Sequence, residues 1–406
     1  MGVRSAADSV DGDRLIADLR ALRQFGADGT GVARISLSDA DIESRRWLAD
    51  RFADAGLEPL IDGLGTVAGR TRNDGPAIVL GSHTDTQPLG GWLDGAFGVI
   101  AGLEVARALG TAPIDVVSWM DEEGTFHGFV GSRAFAGHDM EADRVAMEAP
   151  LRRAGWWGQP IWRVEQGRHH AYLEAHIEQG GRLEAAGQRI GVVTAIVGIR
   201  QRSVTFRGRR NHAGTTPMPM RADASVALVR FLADLDRAFS DVSGSESVWT
   251  HGRIRIEPGA PSIIPDLAEA TVQWRDADPA TLDRLDAAFH AVVSTYRDIG
   301  AERGVSVDVG DSEYQVPPVA MAADLVDVVA AAAEDVAPGR WQRQPSGAAH
   351  DAQVVAAVLP AAMVFVPSIG GVSHAADEDT ALDDLVLGCR VLARAVERLL
   401  DRWSGR

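Results

Sequence analysis

Lysine is absent. All 40 basic residues of the 406-residue chain are arginine. That excludes pyridoxal Schiff bases, lysine Schiff-base lyases and the lysine grip of P-loop NTPases. Cysteine occurs once, at Cys389, between Val386 and Leu392. A lone thiol excludes an internal disulfide, a multi-thiolate zinc site and an iron–sulfur cluster, and this one reads as a buried spacer. There is no run of about 18 apolar residues, so nothing is expected to span a membrane. The stretch from Met1 to Gly12 has no apolar core of a secretory signal, and a cytoplasmic protein is expected. Basic blocks are missing too. The 57 acidic residues outnumber the basic ones, for a formal net charge of −17. Such a chain is a poor partner for nucleic acid or an anionic membrane surface.

What is present is globular composition, 46% hydrophobic and 24% charged. The length suggests two or three domains. The N-terminal third alternates helix and strand signals. Residues Asp11 to Leu22 and Ser38 to Ala55 carry apolar residues at helical spacing, the second behind a Ser/Asp cap. Ala77 to Leu80 is a short continuous apolar run, as in a strand buried on both faces, and Ile114 to Met120 reads as a second buried strand, with a helical stretch from Gly95 to Leu109 between them. Strand, helix, strand implies a βαβ unit and a mostly parallel sheet.

From Ile196 to Asp311 the strands alternate instead, as in Arg202 to Arg207 and Ala270 to Trp274, with helices over Ala222 to Phe239 and Pro279 to Ile299. This reads as a separate α+β domain. The α/β pattern then returns: a helix over Ala323 to Val336, a buried strand over Ala361 to Val366, and a final helix from Thr380 to Trp403, capped by Thr380. The expected fold is α/β. Residues 1–195 and 312–406 form a discontinuous catalytic domain, a mostly parallel sheet flanked by helices, and residues 196–311 are inserted into it.

The chemistry gathers at strand ends. His83 and Asp85 follow the first buried strand, Asp94 opens the next helix, and Asp121, Glu122 and Glu123 follow the second strand. In open α/β sheets the carboxyl ends of strands line the ligand crevice. Five carboxylates at one sheet edge repel one another unless cations neutralise them, and divalent metal is the economical answer. A lone His-x-Asp is usually a turn and a Glu-Glu pair usually surface; a buried strand delivering three acids is neither. His176, in Leu173 to Gly180, and His374, after the buried strand and glycine-rich loop from Val364 to Ser373, add imidazoles in comparable settings.

Seven segments carry a resemblance: Gly81–Thr86, Gly91–Gly95, Asp121–Gly124, His176–Gly180, Asn211–Met218, Pro345–Ala352, and Val372–His374 with Glu378–Thr380. In series, from Leu15 to Leu400, they resemble the hydantoinase/carbamoylase family of amidohydrolases. That family holds N-carbamoyl-L-amino-acid hydrolases, β-ureidopropionases and allantoate amidohydrolases, and sits in the clan of dinuclear zinc aminoacylases and carboxypeptidases. The resemblance implies that Asp94 bridges two divalent metal ions, zinc or manganese, with cobalt possible. His83 and His176 would complete one ion, Glu123 and His374 the other. Glu122 would be the general base, and Asp85 would orient His83. His212, on the inserted domain, would reach the active site of a partner subunit in a homodimer and stabilise the oxyanion, making that domain a lid and dimerisation element. His176 stands where the clan's peptidase and aminoacylase branches usually carry a carboxylate, which favours the carbamoylase branch.

Arg275 matches the position that grips the substrate carboxylate, for which a guanidinium fork is suited. His350 and Gln179 are further candidate substrate-binding residues. Two features depart from the family pattern. Ser262 stands where an Asn usually helps hold that carboxylate, and Thr125-Phe126-His127 is followed quickly by Gly131-Ser132 where a longer run is usual. Both bear on the substrate and leave the metal ligands intact. The expected activity is metal-dependent hydrolysis of a linear amide or ureido C–N bond, most simply of an N-carbamoyl amino acid. The alternatives are an aminoacylase or small-peptide hydrolase of the same clan and, with ligands and base all present, least of all a non-enzymatic binding protein.

Overall fold

The computed structural model describes residues 5–73, 75–310 and 314–405. They divide into two compact units, Met1–Thr194 with Ala320–Arg406, and Ala195–Val319. The return point read from the sequence at Asp311 lies outside the described residues.

The first unit is built on a sheet of nine strands among the described residues. At its centre lie Ile114–Trp119, Ala77–His83, His169–Ile177 and Ala361–Val366, side by side in that order. Their three pairings are all parallel. Every residue of Ala77–His83, Ile114–Trp119 and Ala361–Val366 is buried, as expected of largely apolar strands covered on both faces. The flanks differ from the mostly parallel expectation. Val67–Arg70 and Glu58–Ile61 continue one side antiparallel, and Ile190–Ile196 lies antiparallel on Ala361–Val366. Glu58–Ile61 and Val67–Arg70 are joined by a short connection, which only an antiparallel pair allows.

The helices cover this sheet. Asp39–Asp54 starts at Ser38, whose side chain accepts the Asp41 amide, the cap its sequence announces. Ala96–Leu109 packs closest. A Cβ on Gly98 would stand 2.2 Å from the Ala175 carbonyl oxygen, so glycine there lets the helix backbone lie against a central strand. The last helix, Leu382–Trp403, begins two residues later than the sequence suggests. Thr380 does not cap it, because its hydroxyl donates to the Pro367 carbonyl at 2.8 Å. No helix among the described residues is long and apolar enough to cross a membrane.

The register matters more than the strand count. His83 pairs with Trp119, and Phe365 with His176. The four central strands therefore end level, and the loops that leave them share one rim.

The second unit is an antiparallel sheet ordered Val248–Glu257, Leu267–Asp276, Gly198–Arg207, Ser306–Val309, with Tyr314–Val316 also paired to Gly198–Arg207. Burial alternates strictly along Leu267–Asp276. Ala268, Ala270, Val272 and Trp274 face a core shared with Phe231, Leu235 and Phe239 of helix Ala224–Val242 and Leu285, Phe289 and Val293 of helix Pro279–Arg303. The opposite face carries Gln201, Thr271, Gln273 and Arg275, none of them buried. One-sided burial is what the alternating sequence encodes.

Candidate metal centre

Every candidate of the first unit's rim leaves the end of a central strand or follows one closely. His83 is the last residue of its strand, and Glu122 and Glu123 come three and four residues after Trp119. His176 is the second-last residue of His169–Ile177, and His374 lies in the loop after Ala361–Val366. Asp94 precedes Gly95, the cap of helix Ala96–Leu109. The helix N-terminus favours a negative charge there.

Asp94 sits in the middle. One carboxylate oxygen is 3.2 Å from His176 Nε2 and 3.7 Å from His83 Nε2. The other is 3.1 Å from His374 Nε2, which is 3.6 Å from Glu123 Oε2. The donors thus fall into two triads that share Asp94, namely His83, Asp94 and His176, and Asp94, Glu123 and His374. Two donors each about 2.0–2.1 Å from a tetrahedral ion lie about 3.3 Å apart, and the observed separations bracket that value. Mixed imidazole and carboxylate donors suit zinc, manganese or cobalt. A third set, Glu174, His176 and His350, is also close enough to hold an ion. Its donors are already engaged. Glu174 accepts from Ser82 Oγ, Tyr172 Oη and the Ala352 amide, and His350 Nε2 meets Ser346 Oγ at 2.8 Å.

The two histidine tautomers of the first triad are fixed from behind. His83 Nδ1 lies 3.0 Å from the Asp85 backbone carbonyl and 3.6 Å from its carboxylate, and His176 Nδ1 lies 2.8 Å from the Ile177 carbonyl. In its neutral form each ring carries its proton on Nδ1 and turns the Nε2 lone pair to the rim.

Electrostatics say the same. Burial pushes the Asp94 carboxyl up, but hydrogen bonds with His176 and His374 outweigh it and hold it well below the usual carboxylate range. Burial, then the neighbouring acids Asp351, Glu123 and Asp94, push Glu122 well up against the pull of His83. Glu123 rises through burial and Asp94. His374, bonded to Asp94, is raised to about 9. Protons are thus drawn into a cluster of like charges, where dications would satisfy the same carboxylates and leave the imidazoles neutral. The residues present fit a metal pair.

Backbone strain collects here. Asp121, Gln179 and His374 all have positive φ, at 58°, 57° and 54°. Asp121 is held by amides of Phe126, His127 and Gly128, which bond its carboxylate and turn Glu122 and Glu123 off the strand. Gln179 donates to Asp94 at 2.9 Å and lies 3.3 Å from His374 Nε2. It stands against the metal donors rather than apart from them. Strain of this kind persists where surrounding contacts over-determine it, and it marks functional sites.

Further residues support these donors, and of them only Gln87 lies outside the segments singled out in the sequence. Gln87 donates to Glu123 Oε2 at 2.7 Å. Glu378 accepts the Leu93 and Asp94 amides at 3.2 and 3.1 Å, and its carboxyl is pushed up to about 7 by burial and Asp94. Ser373 hydrogen-bonds Glu378 at 2.9 Å. His350 is fully buried, its ring centroid 4.5 Å from that of His176, and burial with the His176 charge holds its pKa well below the ordinary value.

The remaining candidates belong to the second unit. His212 is exposed. Its Nδ1 accepts the Gly214 and Thr215 amides at 3.0 and 3.2 Å, so a neutral ring presents Nε2–H outward. Arg221 donates to the Thr216 and Ala213 carbonyls and so ties down the same loop. Arg275 donates to Gln273 Oε1 through Nε and Nη2 at 3.1 and 2.9 Å. Ser262 is exposed and receives the Ala213 amide on its backbone carbonyl.

Rim geometry and donor chemistry of this kind define a metal-dependent hydrolase, and comparison with known proteins agrees. Residues 79–398 match peptidase family M20/M25/M40, to which the chain belongs and whose enzymes bind divalent metals. Within it, the chain is a hydantoinase/carbamoylase-type amidase. It is 50% identical to a crystallised amidase of that family from Burkholderia phymatum, with a TM-score of 0.92 over 96% of this chain and 98% of that one. It is 34% identical to an N-carbamoyl-L-amino-acid amidohydrolase of Paenarthrobacter aurescens over 96% of this chain and 98% of the relative. It is 33% identical to the allantoate amidohydrolase of Escherichia coli (strain K12) over 93% and 95%.

Proposed function

We propose that this protein hydrolyses the C–N bond of a linear ureido acid, with an N-carbamoyl amino acid as the simplest substrate, at a centre of two divalent metal ions. The observation that carries the reading is Asp94, whose two oxygens face His176 at 3.2 Å and His374 at 3.1 Å, one in each triad. His83 and His176 would hold one ion and Glu123 and His374 the other, with Asp94 available to both; zinc or manganese fits. When bound, the metals acidify a water and polarise the scissile carbonyl.

The chain's own residues do the rest. Glu122 lies beside the first triad, its Oε2 3.7 Å from His83 Nε2. It takes a proton from the attacking water and delivers it to the leaving nitrogen. Hydrolysis of R–NH–CO–NH2 then yields R–NH2 and carbamate, which falls to ammonia and carbon dioxide. Arg275 holds the substrate carboxylate. His212 of a second subunit donates from Nε2 to the oxyanion, worth roughly 3–4 kcal/mol for a well-placed donor.

The dimer forms through the second unit. Val248–Glu257 is an edge strand exposing Val248, Ile254 and Ile256, and an exposed apolar edge invites pairing. Metal-loaded enzyme incubated with N-carbamoyl and N-acyl amino acids tests the reading. Ammonia and free amine from the former support it; a carboxylic acid from the latter alone would assign an aminoacylase. Glu122→Gln should keep both metals and lose most turnover, by about 10²–10⁴-fold.

A further inference from the structure

Behind the rim lies a buried group of charges of which only Asp85, behind His83, has been given a role. Arg34, Asp41, Arg45 and Asp85 are each fully buried. Two cations and two anions in one dry pocket cost several kcal/mol each in lost hydration unless their geometry repays it. Two of the three guanidinium nitrogens of Arg45 are hydrogen-bonded. Nε meets both Asp41 oxygens at 2.9 Å, and Nη1 donates to the Gly65 and Trp119 carbonyls at 3.2 Å each. Nη2 faces Asp85 Oδ1 at 3.9 Å. Neither of those two atoms has a hydrogen-bond partner.

Asp85 is where the two halves of the rim meet. Its Oδ1 is 3.6 Å from His83 Nδ1, behind the first triad. Its Oδ2 accepts the Glu123 amide at 3.2 Å, behind the second, and the Ser36 hydroxyl at 2.9 Å. Arg45 also grips the carbonyl of Trp119, the residue that ends the strand leading to Glu122 and Glu123. Arg34 steadies the intervening backbone by donating to the Thr84 carbonyl at 2.6 Å.

We propose that Arg45 is a positioning residue for both metal positions at once, anchoring Asp85 so that His83 and Glu123 present their donors in register. The inference rests on the metal-centre reading above. It assigns a role to a residue that touches neither metal donor, more than a helix turn inside Asp39–Asp54. The function is geometric. A guanidinium reaches Asp41, two carbonyls and Asp85 with separate nitrogens, and an ammonium of equal charge cannot span them.

The test is zinc affinity, read by competition with a chromophoric chelator on metal-stripped protein, without substrate. Arg45→Lys keeps the charge and loses the fork, and zinc should bind about 10–100-fold more weakly, the usual effect of losing an outer partner of a metal ligand. Asp85→Asn alone should weaken it to a similar degree. Arg45→Lys added to Asp85→Asn should weaken it less than threefold further, because the path runs through Asp85. If Arg45→Lys does not fold, as judged by thermal melting, Arg45→Met with Asp41→Asn removes the ion pair as a unit and takes its place. Affinity within threefold of wild type for the folded variant overturns the proposal, and so does full additivity with Asp85→Asn. Wild-type protein that binds neither zinc nor manganese sinks the metal-centre reading and this inference with it. Wild-type binding with unchanged variants sinks the inference alone.

Discussion

Gly95→Ala tests the rim with a single methyl group. Gly95 has φ 62° and ψ −43°, a conformation an L side chain rarely adopts. Holding alanine there costs about 1–3 kcal/mol in backbone strain. The larger effect is local. An added Cβ would lie 2.4 Å from His83 Cδ2 and Nε2 and 2.5 Å from Cε1. Ordinary contact begins near 3.4 Å, so the imidazole must retreat by about 1.0 Å (3.4 − 2.4). That Nε2 is the atom facing Asp94 and Glu122. Displacement of about 1 Å in a reacting constellation costs on the order of 100-fold in rate. The Gly95 amide also lies 3.2 Å from His176 Nε2, so both histidines of the first triad feel the change. Expected, then, is a folded protein that retains less than one tightly bound ion of the pair and loses about 100-fold or more in kcat/KM. Metal content by elemental analysis and initial rates of ammonia release would be measured side by side. A Gly95→Ala enzyme with both ions and near-normal kcat/KM would refute the placement of His83 in the centre.

Three further outcomes follow from the same geometry. Arg275→Ala should raise KM for a carboxylate substrate by about 10–100-fold with a smaller change in kcat, as expected on removing one charge-assisted pair; steady-state kinetics with a substrate and its amide separate this from a general loss. Ile254→Arg, on the exposed edge strand, should turn the proposed dimer into monomer on size-exclusion chromatography, and activity should fall with it if His212 acts across subunits. Metal affinity should rise with pH. In metal-free protein His374, bonded to Asp94, holds its proton to about pH 9. Binding must displace that proton, so affinity climbs roughly tenfold per pH unit from pH 6 toward 9 for each proton released and levels off above; flat chelator competition over that range would contradict the role of His374.

Much of the rim can be read from sequence because buried parallel strands advertise themselves. Ala77–Leu80 is an unbroken apolar run and Ile114–Met120 a largely apolar one, and the polar residues immediately after them have one place to go. The alternating Leu267–Asp276 is equally plain, since one-sided burial writes a period of two. What escapes is whatever depends on which non-neighbouring segments meet. Gln87 beside Glu123 is an ordinary polar residue until the fold brings it there, and the motif that holds Glu378 does not say that its carboxylate lies under the Leu93 and Asp94 amides. Arg45 is the strongest case. In sequence it is one charge among several in the helical stretch Ser38–Ala55 with nothing to mark it, yet it is fully buried. Thr380 errs the other way. Its position before a helix suggests a cap, and a long-range bond to Pro367 takes its hydroxyl instead.

The rim illustrates a conflict that the rest of the chain is arranged to contain. Asp94, Glu122, Glu123 and Glu378 stand close enough to push one another's protonation upward or to be rescued only by imidazole. Left to itself, such a set would spread into solvent. It is prevented from doing so by elements that cannot yield: strands buried on both faces, a helix pressed on its strand through Gly98, and three residues held at positive φ by their neighbours. That rigidity costs stability in the metal-free protein and returns it on binding, because the ligands need not be ordered at that moment. Stripping metal should therefore lower the melting temperature markedly without unfolding the second unit, whose core of Phe231, Trp274 and Phe289 shares no residue with the rim. Differential scanning calorimetry resolves the point. One transition moving with metal and a second staying in place is expected; two transitions that both ignore metal would mean that no ion contributes to holding the carboxylates together.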